Sequence, residues 1–174
     1  MSPPVPVDAI VSLLQTLVRT SSRAGVDPMA PVVQVMQGWL ESRGLAVRRL
    51  GARDEPVLGL YAEVRGRRPG PWIVLDAPLD TAGFGDEHTW LGPPTSGDCR
   101  DGWLCGRGSA DSKAGAALFA NLLHEFASRG DDFAGRLGVL FDVDEHTGGF
   151  GGARAFFEQC EEDAPPHRPD GVYI

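Results

Sequence analysis

Lysine occurs once in this chain, at Lys113; the other fifteen of its sixteen basic residues are arginine. We read the arginine excess as genomic bias, which leaves the lone lysine as a position to follow into the fold. Cations are also outnumbered, sixteen against twenty-four acids, for a net charge of −8 and a pI near 4.9. That balance argues against a nucleic-acid or anionic-membrane surface, because counterion release needs clustered cations. It is compatible with a cationic or metal partner. Cysteine is scarce and odd in number, and Cys99, Cys105 and Cys160 lack the CxxC spacing, so neither a disulfide framework nor a zinc knuckle is expected. No apolar run approaches a membrane span, and residues 1–7 carry no basic leader. A reduced, cytoplasmic protein is the expectation.

The 174 residues are 42% hydrophobic and 23% charged, the profile of one domain with a sizeable core. Glycine and proline, at 23 and 14 residues, supply many loops without any collagen-like period.

Along the chain, Asp8 can cap a helix whose face is Ile10, Val11, Leu14, Leu17 and Val18. A second helix is expected over 31–43, with Pro31 in its first turn and Gly44 as its C-terminal cap. Short strands are expected at 45–50, 57–64 and 72–75, followed by a long loop over 81–104. A helix over 112–128, a buried strand over 137–143, a helix over 152–160, a polar loop and a last apolar run at 171–174 complete the reading. Strands alternating with helices give an α/β class, a three-layer sandwich around a mixed, mostly parallel sheet. Sites in such sheets gather beyond the carboxyl ends of strands, and three acidic clusters fall there. They are Asp76 to Asp80, Asp111, and Asp142 to His146.

Each cluster alone has a structural explanation. Asp80 can cap a turn, Asp111 can cap the helix that begins at Ser112, and His146 can be a solvated loop histidine. Together, carboxylates and a Glu-His pair at such junctions can converge on one cleft, hold a divalent cation and leave one carboxylate free as a base. The glycine run at 148–152 invites a nucleotide-binding reading. Counted from Gly149, however, Arg154 stands where G-x-G-x-x-G needs a small residue, and the nearby Asp144 and Glu145 would repel phosphate.

The segment Gly106-Arg107-Gly108-Ser109-Ala110-Asp111-Ser112-Lys113-Ala114-Gly115 follows Trp90, Pro93, Pro94 and Asp101-Gly102. It resembles the W…PP…DG…GRG-x-x-D-x-K-x-G block of the zinc-dependent aminoacylases and peptidases of the acetylornithine deacetylase, succinyl-diaminopimelate desuccinylase and carboxypeptidase G type. The stretch from Leu140 to Gly149 is similar to that family's strand ending in D-E-E and glycines, and the stretch from Val74 to Thr81 to its strand ending in G-H-x-D-T. The resemblance implies Glu145 as general base, Asp111 and His146 as metal ligands, and Asp80 as a residue that orients a ligand. It implies an amide of an N-acyl amino acid or small peptide-like molecule as substrate.

Three departures shape the expectation. Pro78 stands where the family has a metal-binding histidine, and proline has no side-chain donor. Asp76 is two residues away, roughly 6.6 Å along a strand, too far for a direct replacement; His88 is a freer candidate, read first as a solvated loop histidine. Histidine replaces the second glutamate at His146, which keeps a zinc ligand while lowering the negative charge. At most one zinc ion is therefore expected, with a metal-free site as the alternative. Lastly, the family's lid and dimerisation domain and the rest of its catalytic domain have no counterpart here. Residues 1–174 thus read as the N-terminal part of a catalytic domain, incomplete without a C-terminal partner segment on a second polypeptide.

Overall fold

The computed structural model describes residues 7–51, 56–130, 132–162 and 167–174. Helix α1 (Val7–Arg19) buries Leu14, Leu17 and Val18 of the expected face together with Leu13, while Ile10 and Val11 are half-buried. Asp8 sits in its first turn, where a carboxylate complements the helix dipole; the position before Val7 lies outside the described residues. Helix α2 (Ala30–Glu41) ends with the Gly44 N–H on the Glu41 carbonyl and the Leu45 N–H on the Leu40 carbonyl, the Schellman pattern. Helix α3 (Lys113–Ser128) starts one residue after its expected position, with Ser112 at the N-cap. Helix α4 is Gly151–Glu162. The polar loop expected beyond it lies partly outside the described residues, at 163–166.

The strands are β1 (Val47–Leu50), β2 (Gly59–Arg65), β3 (Arg68–Asp76), β4 (Asp98–Arg100), β5 (Trp103–Cys105), β6 (Ala134–Asp142) and β7 (Gly171–Tyr173). Five form one sheet in the order β1-β2-β6-β3-β7. The sheet is mixed, as expected, but its pairings divide evenly. β6 and β7 run parallel to β3, whereas β1–β2 and β2–β6 are antiparallel. The connections explain the split. Parallel neighbours need a crossover of a dozen or more residues, and the links from β1 to β2 and from β2 to β3 are far shorter.

Side chains on alternate sides of the sheet enter two cores. On one side Leu60, Ala62, Val139 and Phe141 pack with α1, α2 and α3. On the other, Tyr61, Trp72, Val74 and Leu140 pack with Phe156 and Cys160 of α4. This is the three-layer arrangement. Among the described residues no helix is long and apolar enough to cross a membrane. Cys99, Cys105 and Cys160 form no disulfide.

The segment 81–104, expected as loop, instead contains a 3-10 turn at Glu87–Thr89 and the β4–β5 hairpin. Asp101 and Gly102 both have positive φ (51° and 82°), the geometry of a tight hairpin turn. Asp-Gly between short strands is the sequence signal for that turn, and here it marked the hairpin.

Candidate active site at the strand ends

Because β3 and β6 are parallel neighbours, their carboxyl ends open on the same edge of the sheet. After β3 the chain passes through Pro78 to Asp80. This segment is clamped by the 20–27 stretch: the Ser22 hydroxyl donates to the Leu79 carbonyl (2.7 Å), and the Thr81 N–H donates to the Ser22 carbonyl (2.8 Å). That stretch is itself braced by Arg23 on Asp27 (2.8 Å), which holds the Asp27 carboxyl well below the usual carboxylate range. After β6 the chain makes a 3-10 turn at Glu145–Thr147. Asp111 sits just before α3, joined to Ser112 by a cis peptide bond.

These elements bring all four expected site residues together. Asp80 is fully buried, and its Oδ2 accepts the His146 backbone N–H at 2.9 Å. The His146 ring then lies among three carboxylates. Nδ1 is 3.0 Å from Glu145 Oε2 and 3.5 Å from Asp80 Oδ2, and Nε2 is 3.7 Å from Asp111 Oδ2. Asp111 is 81% exposed at its side chain, so it presents its carboxylate to the opening rather than capping α3. A cavity of about 570 Å³ is lined by Asp76, Pro78, Asp111, Asp142, Glu145 and His146, among others. His88 is exposed in the 3-10 turn at Glu87–Thr89 and does not line it.

Two donors held by a tetrahedral zinc ion, at about 2.1 Å each, stand about 3.4 Å apart. The 3.7 Å between His146 Nε2 and Asp111 Oδ2 fits that span. Pro78 contributes no donor, and among the described residues no three His, Cys, Asp or Glu side chains converge on one ion. The described residues thus offer two donors at a spacing that suits zinc, short of a full set.

Asp76 and Asp142 carry a different signature. Both are buried, at 6% and 8% exposure, and each has one carboxyl oxygen without a hydrogen-bond partner. Burial pushes Asp76 up to about 6. Burial, followed by the negative charge of Asp76, Asp80, Asp144 and Glu145, pushes Asp142 up to about 7. Between its unfolded value and about 7, the folded protein holds a proton on Asp142 that the unfolded chain has released. Stability therefore falls as pH rises through this window. Asp142→Asn is expected to leave the thermal midpoint near wild type at pH 4. At pH 8 it should raise stability by about 2–4 kcal/mol, at roughly 1.4 kcal/mol per pK unit. Melting curves at the two pH values check it.

The glycine run at 148–152 has a packing explanation. A Cβ on Gly152 would stand 2.5 Å from Asp142 Cβ and 2.6 Å from the Leu58 carbonyl, and one on Gly149 would collide with the Asp144 carboxylate. Asp144 Oδ2 also accepts the Gly151 N–H (2.8 Å), so a carboxylate already occupies the start of α4.

Over residues 74–174 the sequence matches the model of Peptidase family M20/M25/M40. The chain belongs to this family. Succinyl-diaminopimelate desuccinylase of Rhodospirillum centenum is 31% identical over 147 residues, covering 83% of this chain and 37% of that protein. The desuccinylase of Maricaulis maris is 30% identical over 151 residues, with 87% and 37% covered. The chain therefore spans a little over a third of the length of these relatives. Among solved structures, human carnosine dipeptidase 1 superposes with a TM-score of 0.73 at 18% identity, over 95% of this chain and 37% of that one. The M20 metallo-carboxypeptidase Sso-CP2 of Sulfolobus solfataricus superposes with a TM-score of 0.75 at 13% identity, over 94% and 36%. These likenesses establish the fold.

Within the M20 frame, the matched stretch holds all four expected site residues and Pro78. Sequence reasoning placed Asp76 and Asp142 in the acidic clusters but did not pair them. The available signal was positional. Each ends a strand, at Val-Leu-Asp and Leu-Phe-Asp, two residues after an apolar side chain of the α4-side core.

Proposed function

We propose that this chain is the front part of the catalytic domain of an amidohydrolase acting on the amide bond of an N-acyl amino acid or small peptide-like substrate. The observation that carries the reading is the convergence of Glu145, Asp111 and Asp80 on the His146 side chain, within 3.0–3.7 Å of its ring nitrogens, at the edge of one cavity. In this reading Asp111 and His146 would hold one zinc ion, together with donors beyond the described residues. An ion held there would supply Lewis acidity. Glu145 takes a proton from the attacking water as its oxygen bonds to the carbonyl carbon. It delivers that proton to the nitrogen as the C–N bond breaks, leaving a carboxylic acid and an amine. Asp80 acts as a positioning residue, holding the His146 backbone and so fixing the ring. The test is amine release by the whole protein from a panel of N-acyl amino acids and dipeptides. Release on any member supports the reading; a folded, zinc-supplied protein inert on all of them overturns it.

A second reading rests on Pro78, which removes a donor from the cavity wall. It makes the protein a binding or scaffold subunit, or one whose chemistry has moved toward amide transfer or cyclisation. Loss of hydrolysis in Glu145→Gln excludes the scaffold.

We further infer that a second polypeptide completes the sheet, in a reduced, cytoplasmic setting. Supporting this, β7 pairs with β3 on one side, and Val172, Tyr173 and Ile174 are 37%, 60% and 95% exposed. Such an edge is a template for a further strand. Intact-mass and gel analysis of the natural protein is expected to find a second chain. A well-folded monomer of this chain alone would contradict it.

A further inference from the structure

Asp76 and Asp142 take no part in the hydrolytic scheme, yet their placement is unusual. Trp72 and Val74 of β3 and Leu140 of β6 face α4, so Asp76 and Asp142, two residues further on, face the same side. Asp76 is aligned with Leu140, which makes the two aspartates a diagonal pair at the mouth of adjoining strands. Both line the cavity that holds Glu145 and His146. Among the described residues no lysine or arginine lines it with them. Each is more than nine-tenths buried with one unpartnered oxygen, and such an oxygen is costly to bury; the Ala77 backbone N–H is the donor that Asp76 does have.

We propose that the Asp76–Asp142 pair receives a primary ammonium group carried by the substrate. An ammonium bridges carboxylates through separate N–H bonds of about 2.8 Å each, so two aspartates on adjoining strands can share it without their oxygens converging on one point. Phe119 and Phe150, which also line the cavity, give the carbon chain of such a substrate an apolar surface. A bound ammonium also accounts for two acids so near one another, since it favours the ionised form of both, against the burial that otherwise raises them.

As a statement about substrate, the proposal rests on the hydrolase reading, so binding and turnover are measured separately. First, n-butylammonium is titrated into the whole protein, following the side-chain carboxyl ¹³C signals of aspartate, with n-butanol as the uncharged control. The Asp76 and Asp142 signals are expected to shift with butylammonium only. The affinity should fall at least about tenfold in Asp142→Asn and in Asp76→Asn, the equivalent of one lost charge-assisted hydrogen bond. Second, kcat/KM is compared for N-acyl-lysine and N-acyl-norleucine. The lysine substrate is expected to lead by about tenfold or more, with the ratio collapsing toward one in either variant. Binding that depends on both aspartates in a protein without turnover leaves this site standing and removes the hydrolase. Turnover with no lysine preference and no butylammonium shift removes this site and leaves the hydrolase. Zinc binding that depends on Asp76 and Asp142, or a proton shared between them that butylammonium does not displace, also overturns it.

Discussion

Glu145→Gln is expected to lower kcat on any amide substrate of the whole protein by about a hundred- to ten-thousand-fold, the usual contribution of a positioned general base. The amide keeps the shape of the side chain and its place beside the His146 ring, 3.0 Å from Nδ1 in the wild type. It cannot accept the proton of the attacking water. KM is expected to change far less, because in the proposed scheme the carboxylate acts on water and on the leaving nitrogen rather than on substrate binding. Steady-state kinetics on the best member of the acyl-amino-acid panel reads both numbers. A variant that retains most of its kcat would remove Glu145 from the chemistry.

The largest effect on stability is expected at Lys113. The one lysine of the chain is only 1% exposed, and its ammonium donates to the carbonyls of Leu17 and Thr20, both at 2.8 Å, at the end of α1. It ties α1 to the start of α3, immediately after the segment that carries Asp111. Lys113→Ala removes the buried stem and the donors together, for an expected loss of about 3–5 kcal/mol, the range of large-to-small core changes. Lys113→Met keeps most of the stem. Its expected loss is about 1–2 kcal/mol, because the carbonyls lose a donor while the cost of burying a charge disappears. That cost is real: burial lowers the Lys113 pKa to about 8. Between about 8 and its unfolded value the folded state has shed a proton the unfolded chain keeps, so the wild type gains stability as pH rises through that window. The gap between wild type and Lys113→Met should therefore widen from pH 7.5 to pH 10 in denaturant titrations. An equal loss in both variants would mean that the ammonium, not the stem, carries the contribution.

Much of this architecture was legible in the sequence because its signals are local. The α1 stripe, the Gly44 terminus of α2 and the buried run of β6 each announce themselves within a dozen residues. Strand direction was less legible, since it depends on which strands become neighbours; only the short links around β2 hinted that half the pairings are antiparallel. The β4–β5 hairpin was hidden by its composition, although Asp101-Gly102 carried its turn. At the site, a motif could nominate Asp80, Asp111, Glu145 and His146. It could not show that the His146 ring lies among the other three, because that follows from packing β3 beside β6 and clamping residue 80 against the 20–27 stretch. The Asp76–Asp142 pair is the clearest case. Neither residue is unusual alone, and the pair exists only once the strands are in register.

The central claim is that this chain gives two ligands, Asp111 and His146, to a single zinc ion. Equilibrium dialysis against zinc, with the whole protein and a His146→Ala variant of verified fold, tests it most directly. We expect one tightly held ion per chain in the wild type and none in the variant. Two ions per chain, or one that survives the loss of His146, would contradict the account.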